Sequence, residues 1–228
     1  MPKTNTALSP AVHNEKRYDS RLQDLENAVR KLYNSAKDHL PFHGWHHIYF
    51  VKTKAVQFAN ERRANPLLVA AASLVHDLNY VVRSNSTPDA GRQLRHEFLR
   101  EAGFERPDID RVEQIINEAH TATRSETISA EGAALSDADT LFKALPMTPV
   151  VFSHLYLTKN GIGLRELAEK IVKEQLPLME EGIYFYDSAV RDRYFPWAEA
   201  NMRLWQEIVD SLGDPDIVDL LREVDIKV

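Results

Sequence analysis

The doublet His76-Asp77 is the most informative pair of residues in the sequence. It follows residues 67–75, which are apolar apart from Ser73, and a helix that is apolar on every side is buried. A carboxylate next to an imidazole in such a place is costly unless both groups are paired or bind a metal. The alternative is that Asp77 caps a nearby segment and His76 is a core histidine, and the burial argument leaves both interpretations open.

A second group of imidazoles lies in the segment HLPFHGWHH, which contains four histidines. The helix predicted from residue 45 carries an apolar stripe that begins at Ile48. His47 flanks this stripe, whereas His46 lies nearly opposite it and is expected to meet solvent. His43 precedes the helix and could reach a site from its loop. His47 is therefore the best candidate for an inward-facing ligand.

Two acidic residues, Asp137 and Asp139, occur in the segment SDADTLF. They lie about 100° to either side of Ala138, the centre of the apolar stripe on the predicted helix. Only one of the two carboxylates should therefore face a given site. Helical periodicity does not decide which one, and either could be a solvated surface carboxylate.

Taken in order, these segments resemble the metal-binding signature of the HD superfamily of phosphohydrolases. HGWHHIYFV resembles the first ligand helix of the family, AASLVHDLNY its doublet helix and SDADTL its last ligand helix. The resemblance covers about residues 40–145. It implies His47, His76, Asp77 and Asp139 as metal ligands, and its Ala-Asp-Thr-Leu context favours Asp139 over its neighbour.

Two imidazoles and two carboxylates suit one divalent transition metal (Mn, Fe, Co, Ni or Zn), with Mg as a further candidate. A metal bound in this way lowers the pKa of a bound water and contacts a phosphoryl oxygen. The resemblance therefore implies a metal-dependent phosphohydrolase that cleaves a phosphate ester or anhydride. A nucleotide or another small phosphorylated metabolite is the expected substrate.

Catalysis also needs a second cation or a proton donor near the leaving group. His120 flanks the inward face of the helix predicted at 108–121, and members of the family often carry a histidine at a comparable place. We therefore assign catalytic roles to His120 and, beside the metal, to Asp77. His43 and Arg124 are candidates for contacts with the substrate, although a plain surface charge is the favoured interpretation of Arg124.

The composition excludes several other kinds of site. The 228 residues include no cysteine, which rules out disulfides, thiolate metal sites and cysteine nucleophiles. With 28 Lys and Arg against 34 Asp and Glu, the net charge of −6 disfavours binding to nucleic acid. No apolar run approaches the roughly 20 residues that span a bilayer, and the N-terminus lacks the apolar stretch of a signal peptide. We therefore expect a soluble, cytoplasmic protein that binds neither nucleic acid nor membranes.

Helical periodicity runs through nearly the whole chain and predicts an all-α fold. We expect residues 1–18 to form a flexible lead-in and residues 19–228 to form one helical HD-type domain. The predicted helices span about 20–38, 45–61, 66–82, 88–102, 108–121, 129–145, 149–158, 164–181, 188–211 and 215–224.

Two other functions fit parts of this pattern. Some HD-type proteins are dinuclear-iron oxygenases with two more histidines between the doublet and the last aspartate, and His96 and His120 occupy that interval. However, His96 points nearly opposite the apolar stripe of its predicted helix, which argues against this function. The other alternative is a catalytically silent metal-binding or regulatory module. Because no residue of the motif is missing, the sequence does not favour this alternative.

Overall fold

The computed structural model describes residues 10–83 and 86–228, and within them every side chain except those of residues 10–19, 39 and 122. These residues form an all-α bundle without strands in the described ranges. The helices are Pro10–Ser35 (α1), Trp45–Glu61 (α2), Pro66–Val75 (α3), Leu78–Val82 (α4), Arg92–Glu101 (α5), Arg106–Ala119 (α6), Ala130–Ala144 (α7), Ser153–Asn160 (α8), Leu164–Glu180 (α9), Ser188–Ser211 (α10) and Pro215–Glu223 (α11). The predicted all-α, single-domain fold is confirmed.

Helix α3 lies at the centre of the bundle, packed against α2, α6 and α7. Every residue from Val69 to Val75 is buried. The sequence marks the start of this helix clearly. Pro66 occupies its first turn, and the Asn65 side chain caps it by accepting hydrogen bonds from the backbone N–H groups of Leu67 and Leu68. Apolar packing thus fixes α2, α3 and α7, the helices that carry the predicted ligands.

The helix predicted at 66–82 is interrupted at the His76-Asp77 doublet. Helix α3 ends at Val75 and α4 begins at Leu78, while Asp77 has φ −100° and ψ 13°, outside the regular helix. Successive side chains of a continuous helix diverge by about 100°. The interruption at Asp77 changes the angle between two adjacent side chains that would otherwise diverge by about 100°, at the place where both reach one site.

The first helix begins earlier than expected. Helix α1 starts at Pro10 instead of near residue 20, so the second half of the lead-in predicted for residues 1–18 has helical backbone. Residues 1–9 lie outside the described residues. Once a helix exists, each further residue adds a hydrogen bond at little cost, so a polar segment can extend it without an apolar stripe.

Helix α5 is rotated relative to the stripe expected from its apolar residues. Leu94 and Phe98 are only partly buried, whereas Arg95 is fully buried. Arg95 donates from Nε and Nη2 to the Glu113 carboxylate at 2.8 and 2.6 Å, and from Nη1 to the carbonyl oxygen of Pro88 at 2.6 Å. A bidentate ion pair with a residue of α6 therefore occupies the buried face of α5, instead of the face that carries Leu94 and Phe98.

The C-terminal helices form a second layer beside this core. Helices α9 and α10 pack against each other around Leu167, Ala168 and Trp205, and α10 also packs on α7. No helix in the described ranges combines the length and apolar character that crossing a bilayer requires.

The buried ion pair generates a stability prediction. Replacing Arg95 by Met leaves the Glu113 carboxylate buried without its bidentate partner, with the half-exposed Arg92 at 3.6 Å and His96 at 3.5 Å. We expect the free energy of unfolding, measured with urea, to fall by about 3–5 kcal/mol. In the matched control, Arg100→Met at an exposed position of α5, it should change by less than about 1 kcal/mol. Equal effects of the two substitutions would contradict the importance of the pair.

Candidate metal centre

Side chains from different parts of the bundle meet around His47 on α2, in two overlapping groups that could each hold a metal ion. One group adds His76, which follows α3, and Asp139 on α7; the other adds Asp77, which precedes α4, and His43 from its loop. His47 Nε2 lies 3.3 Å from His76 Nε2, 3.2 Å from Asp77 Oδ2 and 3.4 Å from Asp139 Oδ1. His76 Nε2 lies 3.4 Å from Asp77 Oδ1 and 4.0 Å from Asp139 Oδ1. The structure thus brings together the four residues that the resemblance implies as ligands.

The spacing of these atoms fits a single cation. Donors about 2.0–2.2 Å from one metal ion lie roughly 3–3.6 Å from their neighbours in tetrahedral or octahedral arrangements. His76 Nδ1 donates to the carbonyl oxygen of Ser73 at 2.8 Å, so its Nε2 presents a lone pair to the centre. The donor set of this chain therefore fits a divalent metal in both spacing and chemistry.

The protonation states also suit a cation. Burial raises the pKa of Asp77, but the imidazoles of His76 and His43 outweigh this effect and hold that pKa well below its ordinary value. Burial likewise raises the pKa of Asp139, and Lys143 and the imidazoles lower it further than burial raises it. Burial lowers the pKa of His47. At neutral pH the centre therefore offers two carboxylates and a neutral imidazole, the forms that bind metals.

His43 reaches the centre from its loop. Its Nδ1 lies 2.9 Å from Asp77 Oδ2, and its ring stacks on Tyr80 with the ring centroids 4.0 Å apart. His43 also lines the cavity described below. Its position is compatible with the predicted substrate contact, and its contact with Asp77 gives it a second role in orienting that carboxylate.

Asp137, the other aspartate of α7, faces away from the centre. Its carboxylate pairs with Arg62 and accepts the backbone N–H groups of Tyr186 at 2.7 Å and Asp187 at 3.0 Å. Arg62 Nε donates to Asp187 Oδ2 at 3.1 Å. Asp137 therefore joins the end of α2, α7 and the start of α10. These contacts show that Asp139, and not Asp137, faces the centre, a choice that helical periodicity left open.

Arg124 is not brought to the cavity. Its Nη1 lies 3.4 and 3.3 Å from the carbonyl oxygens of Ile183 and Tyr184, and its Nη2 donates to Thr140 Oγ1. These contacts use the guanidinium group to tie the segment before α10 to α7. Arg124 thus has a structural role in place of both the candidate substrate contact and the plain surface charge that the sequence favoured.

Two further histidines lie outside the centre. His46 is exposed, as predicted, and its ring stacks on Phe152. His96 is partly buried between α5 and α6, with its Nε2 3.5 Å from Glu113 Oε1. Among the described residues, the two extra histidines that a dinuclear-iron oxygenase would require are therefore not brought to one site.

A cavity of about 440 Å³ lies above the four converging side chains. His120 lines it at the end of α6, where the sequence predicted a catalytic histidine. The opposite wall comes from helices to which the sequence assigned no role. Its side chains include those of Tyr156 on α8, Lys170, Glu174 and Gln175 on α9, and Trp205 on α10.

The sequence reasoning missed Lys143, which also lines the cavity. Its Nζ lies 2.8 Å from Asp139 Oδ2, one helical turn further along α7. Residues four positions apart are neighbours on a helix surface. That spacing could have identified Lys143 once Asp139 had been chosen as the ligand.

Comparison with known proteins gives a fold but no activity. No family model matches the chain. The chain is 30% identical over 129 residues to YpgQ of Bacillus subtilis, an uncharacterized protein. The matched region is 54% of this chain and 60% of YpgQ, less than two thirds of that relative.

The solved structures that resemble this one include two of YpgQ. Its crystal structure has a TM-score of 0.59 at 21% identity and covers 85% of this chain and 97% of YpgQ. The crystal structure of YpgQ in complex with ADP has a TM-score of 0.58 at 21% identity, with 86% and 97% covered. A structural genomics target from Lactobacillus plantarum has a TM-score of 0.63 at 18% identity, with 85% and 95% covered. These proteins share the fold of this chain.

The two aspartates of α7 should respond differently to substitution. We expect Asp139→Asn to reduce Mn²⁺ affinity by roughly tenfold or more, because an amide binds a divalent cation less well than a carboxylate. Asp137→Asn should retain the metal, because the amide oxygen can still accept a backbone N–H group and hold α7 in place. It should lower the free energy of unfolding by about 3 kcal/mol, because Arg62 loses its buried carboxylate partner and keeps only the part-buried Asp187. Metal content after dialysis and urea unfolding measure the two effects. The reverse pattern would contradict the division of roles.

Proposed function

We propose that the protein is a metal-dependent phosphohydrolase of the HD superfamily. The observation that carries the proposal is the convergence of His47, His76, Asp77 and Asp139 beneath a cavity. This donor set suits Mn, Fe, Co, Ni or Zn, with Mg as a further candidate. Such a metal, when bound, supplies an activated water and polarises a phosphoryl oxygen. The reaction that uses both properties is hydrolysis of a phosphate ester or anhydride.

His120 supports the chemistry from the side of the cavity. Burial lowers the pKa of its imidazole, Lys143 lowers it further, and the opposing effect of Asp139 is smaller. A neutral imidazole can donate an N–H hydrogen bond to an oxygen of the substrate, or accept a proton and pass it on. His120 therefore suits contact with the leaving group better than a role as a fixed cation.

The size and lining of the cavity support a nucleotide or a similar small phosphorylated metabolite as the substrate. A volume of about 440 Å³ lies within the range of roughly 300–1,000 Å³ that holds small ligands. Tyr80, Tyr156 and Trp205 line it with aromatic rings, and Gln175 adds an amide group that can bind polar atoms. The complex of YpgQ, which shares this fold, with ADP also supports a nucleotide as the ligand.

A hydrolysis screen tests the proposal directly. The protein is incubated with nucleotides and other phosphorylated metabolites in the presence of Mn²⁺, Co²⁺ or Ni²⁺, and released phosphate and pyrophosphate are measured. Metal-dependent release supports the proposal. A protein that retains metal but releases neither product from any compound would instead be a binding or regulatory module.

Asp77→Ala tests the link between metal and activity. We expect it to lose most of the bound metal and to lower turnover at least a hundredfold, because a ligand and a catalytic carboxylate are removed together. The matched control is Asp192→Ala at an exposed position of α10, which should retain both. Metal analysis and the hydrolysis assay give the two readouts. Undiminished metal and activity in Asp77→Ala would refute the assignment.

His120→Ala separates contact with the substrate from metal binding. We expect the turnover number to fall by about 10²–10⁴-fold, the typical contribution of a positioned acid or base. Most of the metal should remain bound, because His120 is not one of the converging ligands. His154→Ala, at an exposed position of α8, serves as the control. Loss of metal together with activity would make His120 a ligand instead.

A further inference from the structure

Lys143 lies between the candidate metal centre and the cavity. Its Nζ is 2.8 Å from Asp139 Oδ2 and 3.4 Å from Thr121 Oγ1. The other carboxylate oxygen of Asp139, Oδ1, is the one that faces His47. Asp139 therefore joins the ammonium group of Lys143 to the centre through its two oxygens.

We infer that Lys143 binds the anionic phosphoryl group of the substrate at the metal centre, an inference that rests on the proposed function. An ammonium group has three N–H donors, and the contacts with Asp139 and Thr121 use two of them. Lys143 lines the cavity and its side chain is 29% exposed, so the third donor can reach an acceptor there. A ligand held at the centre would meet Lys143 within the same cavity.

The charge balance of the centre calls for such a group. The carboxylates of Asp77 and Asp139 together neutralise a divalent cation, so a phosphoryl group with two negative charges would need further positive charge. Hydrogen bonds between a charged donor and an anionic oxygen are about twice as strong as those between neutral groups. Lys143 supplies this charge at the edge of the centre.

Two other cationic side chains, those of Arg124 and Lys170, are less well placed to meet a phosphoryl group at the centre. The guanidinium group of Arg124 is tied to backbone carbonyls and to Thr140. Lys170 belongs to the opposite wall, where its Nζ donates to Tyr156 Oη at 2.9 Å. Of these three residues, Lys143 is the one in contact with a ligand of the centre.

The test compares Lys143→Met with Lys173→Met, which removes the same charge from an exposed position of α9. Three quantities are measured: Mn²⁺ content after dialysis, the affinity of the Mn²⁺-loaded protein for inorganic phosphate by calorimetry, and KM and kcat on the best compound of the screen. For Lys143→Met we expect retained Mn²⁺, and phosphate affinity weakened about tenfold to a hundredfold with a matching rise in KM. Lys143→Arg should restore part of the loss, and Lys173→Met should match the wild type.

The outcomes separate binding of the substrate from positioning of Asp139. If Lys143→Met loses Mn²⁺ but its metal-loaded fraction binds phosphate as the wild type does, Lys143 only positions Asp139 and the inference is overturned. Should Lys143→Met fail to fold, Lys143→Gln provides the second variant, because it removes the charge and keeps a hydrogen bond to Asp139. Unchanged phosphate affinity in Lys143→Gln would also overturn the inference.

The inference and the proposed function can fail separately. A wild-type protein that neither binds phosphate nor turns over any compound contradicts the proposed function itself. Turnover by the wild type, with unchanged phosphate affinity and KM in Lys143→Met, contradicts only the role of Lys143.

Discussion

Two carboxylates held close together in an apolar helical bundle are the constraint on which the rest of this structure depends. Asp77 and Asp139 both lie near His47 Nε2, and desolvation and mutual repulsion both oppose keeping them ionised there. Burial lowers the pKa of His47, so this imidazole does not supply a compensating charge at neutral pH. Lys143 compensates part of the negative charge from the side of Asp139. The remaining charge is what a divalent cation would balance, which makes metal binding the natural counterpart of this core.

Such a centre requires that each helix is held at a fixed rotation about its own axis, so that its ligand faces the centre. Asp137 and Asp139 are two positions apart on α7, so they point about 200° apart around the helix. The pairing of Asp137 with Arg62 and with the backbone N–H groups before α10 fixes one side of α7, and this turns Asp139 toward the centre. The interruption after α3 serves the same end for the adjacent residues of the doublet. The ion pair lies away from the cavity and the interruption lies at its edge, and both help to orient the residues of the centre.

The sequence predicts well what depends on local pattern. The bounds of α2 and α10 agree with the predicted 45–61 and 188–211, because apolar periodicity and capping signals are local. The resemblance implied the four ligands, which the fold brings together. What could not be predicted depends on partners that are distant in sequence. The burial of Arg95 depends on its ion pair with Glu113, and the role of Arg124 depends on the backbone carbonyl groups that its guanidinium group contacts. The interruption at the doublet escaped detection because periodicity averages over a whole helix.

The wall of the cavity contributed by α8, α9 and α10 is built differently from the centre. The centre lies on helices that pack around the main apolar core, whereas the wall has a smaller apolar cluster of its own and polar side chains held by hydrogen bonds, such as that from Lys170 to Tyr156. Substitutions among such side chains can change the shape and polarity of the cavity without moving the ligands, because they leave the central core intact. If the protein acts as proposed, the reacting end of the substrate would lie against the residues carried by α2, α3 and α7, and the C-terminal helices would contact its remaining part.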